Sequence, residues 1–281
     1  MAGIAWLTVY LAASVAIGVI ALAIGASLRL ARLGAGSITG VMSGALLRAP
    51  DNDVQPARAA ALHAGQLDLN RFSPEDISQS SLVRWSWCDG ACKRVVDVAA
   101  SLALLIGLSP VLILVAVLIK LDSPGPILYR QKRIGLGGRV FEVYKFRSMV
   151  ADAERDGPRW AAKNDGRVTA IGRIIRKTRI DEIPQAINVL KDEMSFVGPR
   201  PERPEFVNVL EREIPHYHER HRVKPGITGW AQVKYVYGAS VEDACEKLKF
   251  DLFYVKHFTP ALDLLIILMT VRVALFGLGG R

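Results

Sequence analysis

The chain contains few cysteines. Three are present in 281 residues, at Cys88, Cys92 and Cys245. An odd and small number gives no disulfide framework of the kind that holds small secreted domains together. Cys88 and Cys92 are spaced CxxxC and no second pair follows, so the spacing does not favour a zinc site. The cysteines therefore indicate reduced thiols in a cytosolic setting.

Sequence signatures of nucleic-acid and dinucleotide binding are also lacking. The chain has neither a helix-turn-helix pattern nor a zinc-finger or aromatic RNA-binding signature. The glycine cluster Gly135–Gly138 (GLGG) lies outside any strand-turn-helix context, so it does not predict a dinucleotide site. We therefore expect no nucleic-acid partner, although a basic nucleic-acid binder remains an alternative because of the charge.

Acidic residues are outnumbered by basic ones. The chain has 36 Lys and Arg against 27 Asp and Glu, a formal net charge of +9. Apolar residues make up 51% of the sequence, and the mean hydropathy is +0.23. This combination predicts a membrane protein with anionic partners, such as phospholipid headgroups, nucleotides or polyprenyl phosphates.

The first long apolar run, Ile4–Ala26, carries no charge. At about 1.5 Å per residue it measures ~35 Å, enough to cross the ~30 Å hydrocarbon core of a bilayer. No Lys or Arg precedes the run, whereas four arginines follow it: Arg29, Arg32, Arg48 and Arg58. The pattern argues against a cleaved signal peptide. It predicts a transmembrane anchor over residues 1–33, with the rest of the chain in the cytoplasm.

Residues 34–91 are predicted to be a connector, because Gly, Ala, Ser and Pro dominate the first half and no apolar period is sustained. Within this stretch, Ser73–Asp76 predicts the capped start of a short helix with Ile77 on one face.

The second apolar run, Val95–Leu121, is interrupted by Ser109 and Pro110 and flanked by basic residues at both ends. Pro110 lacks the N–H that would bond the carbonyl of Ile106. The break leaves halves of about 21 Å, each too short to cross a bilayer. A re-entrant helix-break-helix that enters and leaves through the cytoplasmic face fits these features. A kinked transmembrane helix is the alternative.

Two strands, Ile127–Ile134 and Arg139–Lys145, are predicted around the glycine cluster as a hairpin. Lys145 and Arg147, in the sequence KFRSM, lie where the chain leaves that hairpin. The local sequence leaves two interpretations open for them, solvated surface side chains or phosphate ligands.

Two adjacent carboxylates, Asp181 and Glu182, occur in the stretch Lys177–Gln185 (KTRIDEIPQ). Pro184 suits the first turn of a helix, and carboxylates at a helix N-terminus face the positive end of its dipole. We therefore expect Asp181 to be ionised and oriented. Basic residues, Arg176 among them, precede the pair, and carboxylates among cations suit phosphoryl transfer with Mg²⁺. A capped surface helix with solvated ion pairs is the alternative.

Arg200 follows shortly afterwards, between two prolines in Gly198–Pro201 (GPRP). The prolines restrict its backbone and so favour bidentate contact of the guanidinium with a phosphate. A stiff surface turn is the alternative.

The C-terminal third is predicted to serve packing and the membrane surface. The histidines of His216–His221 do not share a helical face, so no metal site is expected there. Trp230 is predicted at the lipid interface, with stacking on a base as the alternative. Val241–Val255 has the period of an amphipathic, core-facing helix. Leu262–Gly279 is apolar nearly all round but contains Asp263 and Arg272, so an interfacial helix is favoured over a second span.

Five motifs in fixed order resemble the bacterial sugar transferase family, the monotopic phosphoglycosyl transferases that begin exopolysaccharide and glycan assembly. The resemblance begins near Lys93 and continues to the C-terminus. The motifs are QKRIG (Gln131–Gly135), KFRSM (Lys145–Met149), RKTRIDEIPQ (Arg176–Gln185), FVGPRP (Phe196–Pro201) and KPGITGWAQ (Lys224–Gln232).

The resemblance implies a reaction. Sugar 1-phosphate passes from a UDP-sugar to undecaprenyl phosphate, with release of UMP, through a covalent aspartyl-phosphosugar intermediate on Asp181. This is the first membrane step of exopolysaccharide or glycan synthesis. Glu182 is expected to hold Mg²⁺ with Asp181 and the diphosphate oxygens. The candidate phosphate ligands are Lys145, Arg176 and Arg200, which match family positions, and Arg147 from the same motif as Lys145.

Together the patterns predict a mainly helical α+β membrane protein. A transferase domain over residues 92–281 would contain the re-entrant helix at 95–121, a small β-hairpin and interfacial amphipathic helices. We expect the bacterial inner membrane, with the catalytic domain on the cytoplasmic face in contact with membrane lipid. A homodimer, or contact with downstream glycosyltransferases, is a further partner expectation. A non-catalytic membrane tether is the alternative function.

After Val233 the chain reads KYVYGAS and departs from many hexose-transferring members of the family. The sequence therefore does not identify which sugar is transferred.

Overall fold

Helices predominate in the part of the chain that the structure describes. The computed structural model covers residues 65–69, 72–78, 87–153, 155, 157, 165–235 and 240–276. The helices are α1 (Pro74–Ser78), α2 (Trp87–Gly107), α3 (Ser109–Asp122), α4 (Ala170–Lys177), α5 (Ala186–Leu190), α6 (Pro204–Glu213), α7 (Trp230–Lys234), α8 (Val241–His257) and α9 (Pro260–Phe276). The strands are β1 (Leu128–Ile134), β2 (Val140–Phe146), β3 (Ser195–Val197) and β4 (Gly226–Thr228). The mainly helical α+β class is confirmed, and the predicted anchor over residues 1–33 lies outside the described residues.

The predicted hairpin is confirmed as the antiparallel pair β1–β2. Its register joins Leu128 to Phe146 and Ile134 to Val140. The turn passes through Gly137 and Gly138, whose φ angles of 62° and 78° lie in the left-handed region that favours glycine. Each strand begins one residue later than predicted, and β2 extends through Phe146.

A second, parallel pair joins β3 to β4 and has no counterpart among the predicted strands. Ser195 pairs with Gly226, and Val197 pairs with Thr228. The backbones meet so closely that a Cβ on Gly226 would lie 2.0 Å from the amide nitrogen of Gly198. This close approach fixes the turn that carries Arg200 directly after β3.

Helices α2 and α3 meet at the predicted break. Leu108 separates them, Pro110 lies in the first turn of α3, and the axes of Gly90–Gly107 and Ser109–Asp122 differ by 62°. Within the described ranges, no single helix is long and apolar enough to cross a bilayer, whereas this bent pair has the length and composition when taken together. The structure thus confirms the break.

One side of the bent pair carries large apolar side chains that are exposed. Ile106 is 69% exposed and Leu121 is 78% exposed. The others in this set are Val95, Leu102, Ile113, Leu114 and Val117. The opposite side of α3 is buried, because Val115 and Ile119 pack against β2 and α4. Helix α3 therefore has one apolar face in the core and another without a protein partner among the described residues.

Part of the segment predicted as a connector packs into the core. Phe72 and Ile77, beside and within α1, are buried in one cluster with residues of α6 and α8. The predicted short helix with Ile77 on its buried face is confirmed. Leu67 adds a backbone hydrogen bond, donated to the carbonyl of Lys249 at 3.1 Å.

The prediction that Trp230 lies at the lipid interface is wrong, because Trp230 packs against this same segment. Its indole is buried, stacks on Phe253 and donates from Nε1 to the carbonyl of Gly65 at 2.8 Å. The side chain therefore lies inside the protein and not at a lipid interface. The sequence surrounding Trp230 contains no sign of this partner, because Gly65 is more than a hundred residues away.

The predicted amphipathic helix is confirmed as α8, whose Leu248, Leu252 and Val255 are buried. Helix α9 is also packed against the protein, through Ile266 and Ile267. Its Asp263 is an internal contact, because Lys93 Nζ donates to the carboxylate at 2.6 Å and the Tyr254 hydroxyl donates at 2.7 Å. The charge of Asp263 is thus neutralised within the protein.

Candidate active site

The two adjacent carboxylates lie in a tight turn between α4 and α5. Helix α4 ends at Lys177, and Arg179 takes the left-handed conformation with φ of 60°, which reverses the chain. A 3₁₀ segment, Ile180–Gln185, then carries both carboxylates and Pro184. The predicted α-helix starts later than expected, at Ala186. The left-handed Arg179 is a strained conformation for a residue with a side chain, of the kind that clusters at functional sites.

Glu182 is held by two cations. Arg200 forms a forked contact, with Nη2 at 2.5 Å from Oε1 and Nη1 at 3.3 Å from Oε2. Lys145 Nζ donates to Oε1 at 3.1 Å. The structure therefore brings together three of the predicted site residues, which come from β2, the 3₁₀ segment and the turn after β3.

The neighbouring Asp181 lies in a different environment. Burial and the adjacent Glu182 carboxylate raise the pKa of Asp181 to about 6. For Glu182, burial acts in the same direction, but Arg200 and Lys145 outweigh it and hold its pKa well below the ordinary value. Asp181 is thus ionised at neutral pH, as expected from the sequence. Its negative charge is nevertheless less stabilised than it would be by the dipole of a helix N-terminus, where the sequence predicts it to lie.

One oxygen of Asp181 has no hydrogen-bond partner in the part of the chain that the structure describes. Oδ1 is buried and makes no hydrogen bond to any described residue, although the side chain is only 8% exposed. A buried polar atom without a partner costs about 1–3 kcal/mol, and a contact with a ligand or a reacting atom would offset that cost. Asp181 therefore has the free lone pairs that a nucleophile or a metal ligand needs.

The carboxylate pair also bears on the predicted Mg²⁺. No group of three or more His, Cys, Asp or Glu side chains that could hold a metal occurs in the described part of the chain, the His216–His221 segment included. Two carboxylates fit Mg²⁺ because this ion takes its remaining ligands from water and substrate phosphates. Asp181 Oδ1 is available for such a contact. Glu182 would have to exchange a contact with Arg200 or Lys145.

The other two predicted phosphate ligands lie in different places. Arg176, in the last turn of α4, is half-buried, and its charge opposes the rise in the pKa of Asp181. Arg147 is buried away from the carboxylates. Its guanidinium donates to the carbonyls of Ser123 and Pro124, each at 2.6 Å. Arg147 thus fastens the turn between α3 and β1, and the structure does not bring it into contact with the carboxylate pair.

A small cleft opens beside Glu182. Its lining residues are Arg133, Val143, Lys145, Gln185, Arg200 and Pro201. Arg133 has no predicted role, although it lies in the motif QKRIG. It donates to the carbonyl of Pro201 at 3.0 Å and approaches Glu202 at 3.6 Å. The period of two along a strand is the signal that identifies it, because Arg133 and Lys145 lie on the same face of the hairpin.

Two buried side chains position this cluster and were not predicted. Asn188, in α5, accepts from the backbone N–H of Tyr144 at 3.0 Å and donates to the carbonyl of Glu142 at 2.6 Å. It therefore joins the segment that carries Asp181 to the strand that carries Lys145. Neither contact has a local sequence signal, because the partners are more than forty residues apart.

The second positioning group is Arg220. It donates to the carbonyl of Arg200 at 2.8 Å, to the Tyr217 hydroxyl at 2.6 Å and to Asp251 at 2.7 Å. Through these bonds α8 supports the backbone of Arg200. In the sequence HYHERH the three histidines suggest metal binding, whereas Arg220 is the residue that supports the site.

Comparisons with known proteins agree on one group. A family model described as bacterial sugar transferase matches residues 88–277. A UDP-N-acetylgalactosamine-undecaprenyl-phosphate N-acetylgalactosaminephosphotransferase from Aeromonas hydrophila is 49% identical over 189 residues, which are 67% of this chain and 45% of that protein. An undecaprenyl-phosphate glucose phosphotransferase from Komagataeibacter xylinus is 43% identical over 217 residues, 74% of this chain and 40% of that protein.

A shorter relative is covered almost completely. The exopolysaccharide production protein PSS from Rhizobium leguminosarum bv. phaseoli is 43% identical over 189 residues, which are 65% of this chain and 94% of that protein. The match to the first two relatives spans less than half of their length. The range matched by the family model, residues 88–277, contains every residue of the carboxylate and cation cluster.

Proposed function

Because this chain belongs to the bacterial sugar transferase family, we propose that it transfers sugar 1-phosphate from a UDP-sugar to undecaprenyl phosphate and releases UMP. The reaction is the first membrane step of exopolysaccharide or glycan synthesis. The observation that carries the proposal is the pair of unlike carboxylates, a buried Asp181 with an unpartnered oxygen beside a Glu182 held by Arg200 and Lys145. The named substrates of the relatives support it.

In the first half of the reaction, a carboxylate oxygen of Asp181 attacks the sugar-linked phosphorus of the donor. The bond from that phosphorus to the bridging oxygen breaks, and UMP leaves with the bridging oxygen. Asp181 then carries the sugar phosphate as an acyl phosphate. A buried carboxylate whose lone pairs are not engaged suits this step, because little hydrogen bonding must be lost before attack.

In the second half, an oxygen of undecaprenyl phosphate attacks the same phosphorus. The bond to Asp181 breaks, its carboxylate is restored, and the product is undecaprenyl-diphosphate-sugar. Arg200 and Lys145 supply positive charge beside the reacting phosphate in both halves, with Arg176 as a further cation near Asp181. The forked guanidinium of Arg200 suits two phosphate oxygens at once.

Mg²⁺ is the proposed metal. Asp181 and Glu182 would hold it, and it would neutralise charge on the phosphates of the donor. Glu182 also orders the two cations before substrate arrives. Its low pKa keeps it charged, so Arg200 and Lys145 stay near the phosphate position.

The bent helix pair supports a proposal about the membrane position. We propose that α2 and α3 enter and leave the bilayer from the cytoplasmic face of the bacterial inner membrane. Exposed Ile106 near the break and Leu121 at the end of α3 support contact with lipid. This arrangement keeps Lys145 and Asp181 on the side where UDP-sugars are made, near the headgroup level at which the acceptor phosphate lies.

An acceptor-dependent assay tests the proposed function. The full chain, purified in detergent, is mixed with Mg²⁺, undecaprenyl phosphate and each of a panel of UDP-sugars, and UMP is measured. We expect repeated turnover with at least one UDP-sugar and formation of a lipid diphosphate sugar, both lost in Asp181→Ala. Failure to release UMP from every UDP-sugar would favour the tether instead.

A further inference from the structure

Gln185 has a buried amide nitrogen with no hydrogen-bond partner among the described residues. It ends the 3₁₀ segment that carries Asp181, and only 3% of its surface is exposed. Its Nε2 makes no hydrogen bond to any described residue. An apolar side chain of similar size would fill this position without the cost of about 1–3 kcal/mol for an unsatisfied buried donor. The amide is therefore a candidate for contact with a ligand.

The surroundings of Gln185 indicate what that ligand is. The residue lines the cleft beside Glu182, and the other polar side chains of the lining are all cations: Arg133, Lys145 and Arg200. These three cations outnumber the carboxylates they contact, because Lys145 and Arg200 share Glu182 and Arg133 approaches Glu202 at 3.6 Å. A neutral hydroxyl group would leave those charges unbalanced. An anion with several acceptor oxygens would accept from the amide and the cations together.

We propose that Gln185 donates a hydrogen bond from Nε2 to a phosphate oxygen of the donor's diphosphate, within a pocket completed by Arg133, Lys145 and Arg200. This inference rests on the proposed function for the identity of the ligand as a nucleoside diphosphate sugar. Gln185 binds the diphosphate common to all such donors, and does not select the sugar or the base. It accordingly increases affinity for the donor whichever sugar is attached.

The test compares three probes on the full chain in detergent, with binding measured by thermal shift. The probes are inorganic pyrophosphate, UDP and uridine, each with Mg²⁺. For Gln185→Leu we expect affinity for pyrophosphate and for UDP to fall by similar factors, roughly 10-fold to 100-fold for a lost hydrogen bond to a charged group. Uridine binding stays unchanged. Gln185→Glu, which keeps the size and adds a negative charge, weakens both phosphate probes further and serves if the Leu variant does not fold.

Ser101→Ala is the matched control. Ser101 is fully buried, and its Oγ also has no hydrogen-bond partner among the described residues, but it does not line the cleft. Both Ser101→Ala and Gln185→Leu should melt at or above the wild-type temperature without ligand, because each removes an unsatisfied polar group. Only Gln185→Leu should lose affinity. A gain or no change in stability combined with lost affinity is not expected from a packing residue.

Two results would overturn the inference. The first is wild-type affinity for pyrophosphate in both Gln185 variants, whether or not UDP-sugars bind more weakly, since the amide would then be packing or contacting the sugar. The second is that pyrophosphate and UDP fail to stabilise the wild type. These results differ from those expected if the proposed function were wrong. In that case pyrophosphate and UDP would still bind in a Gln185-dependent manner, but no UDP-sugar would be turned over.

Discussion

At the scale of single residues, Asp181 and Glu182 are neighbours in sequence with opposite electrostatic environments. Glu182 has two cationic partners, whereas one buried oxygen of Asp181 has no hydrogen-bond partner among the described residues. Environments that push the pKa values of two titratable groups apart are typical of paired catalytic carboxylates with different roles. The arrangement suits a nucleophile at Asp181 and a charge-organising group at Glu182.

The raised pKa of Asp181 predicts a stability cost at neutral pH. The carboxyl holds its proton in the folded state up to pH about 6, whereas the unfolded chain releases it near 3.8. The folded state therefore loses stability as pH rises through this window, by about 3 kcal/mol at most. Asp181→Asn has no charge to bury, so it should melt at a higher temperature than the wild type at pH 8. The difference should shrink below pH 4, where Asp181 is protonated.

Melting curves of both proteins at several pH values test this expectation. Glu213→Gln is a suitable control, because Glu213 is an exposed carboxylate at the end of α6. A higher melting temperature for wild type than for Asp181→Asn at pH 8 would show that Asp181 has a stabilising partner in the folded protein. That result would contradict the site as described.

Arg200 is predicted to depend on the geometry of its guanidinium as well as on its charge. Arg200→Lys keeps a positive charge but loses the fork that holds Glu182 and suits two phosphate oxygens. We expect a fall in kcat of roughly 100-fold to 1000-fold, similar to the loss of one oxyanion donor. Arg212→Lys, an exposed change in α6, should leave kcat unchanged. Wild-type turnover by Arg200→Lys would contradict this prediction and favour the alternative, in which Arg200 is only part of a stiff surface turn.

The contrast between Lys145 and Arg147 shows how far local sequence determines a site. The two residues are two positions apart, and the local sequence leaves the same two interpretations open for both. Strand β2 ends at Phe146, between them. Lys145 therefore follows the strand towards Glu182, whereas Arg147 folds back onto the carbonyls of Ser123 and Pro124. Those carbonyls become available only because α3 ends beside the hairpin, which is tertiary information.

At the scale of secondary-structure elements, the break between α2 and α3 was predictable and the parallel pair β3–β4 was not. Pro110 acts locally, by removing a backbone donor, so its effect can be predicted from the sequence. Strands β3 and β4 have three residues each, and their pairing depends on glycines that let two distant segments approach. No periodicity is visible in three residues.

The bent pair leads to a prediction about topology. In a background without native cysteines, cysteines are introduced at Ala91, in the first turns of α2, and at Leu136, in the hairpin turn. If the pair is re-entrant, both positions are cytoplasmic, so neither reacts with a membrane-impermeant maleimide in intact cells and both react after permeabilisation. Labelling of Leu136→Cys alone in intact cells would indicate a spanning helix.

Pro110 itself should be needed to place the domain. Pro110→Ala restores a backbone donor and lets α2 and α3 straighten, so we expect reduced turnover with membrane-bound acceptor. Binding of UDP to the purified chain should be little changed, because Pro110 does not line the cleft. Equal turnover in the two proteins would mean that the bend does not depend on the proline.

At the scale of the whole molecule, the core extends beyond the region that carries the motifs. Ile77 is fully buried against α6 and α8, and Gly65 accepts a hydrogen bond from Trp230. The composition of residues 34–91 predicts a connector because it lacks a sustained period. A few large apolar residues, each packing against helices more than a hundred residues later, leave no periodic signal. The residues of the carboxylate site lie in short local motifs, so the site could be predicted from the sequence more fully than this packing could.

The buried position of Ile77 predicts a large effect on stability. Ile77→Ala removes three carbon atoms from a packed core and should lower the free energy of unfolding by about 2–5 kcal/mol. Val209→Ala, at an exposed position of α6, should change it by less than about 0.5 kcal/mol. Denaturant unfolding of both variants in the same detergent measures the difference. Equal stability would mean that the segment containing α1 does not contribute to the core.

The covalent step on Asp181 is the central claim, and one measurement tests it most directly. The full chain is mixed with a UDP-sugar and Mg²⁺ in the absence of undecaprenyl phosphate, and UMP is counted per protein molecule. We expect a burst of up to one UMP, a mass increase of one sugar phosphate on a peptide containing Asp181, and its discharge when acceptor is added. Asp181→Asn should show neither burst nor adduct. An active wild-type enzyme that releases no UMP until acceptor arrives would contradict the account and favour direct transfer.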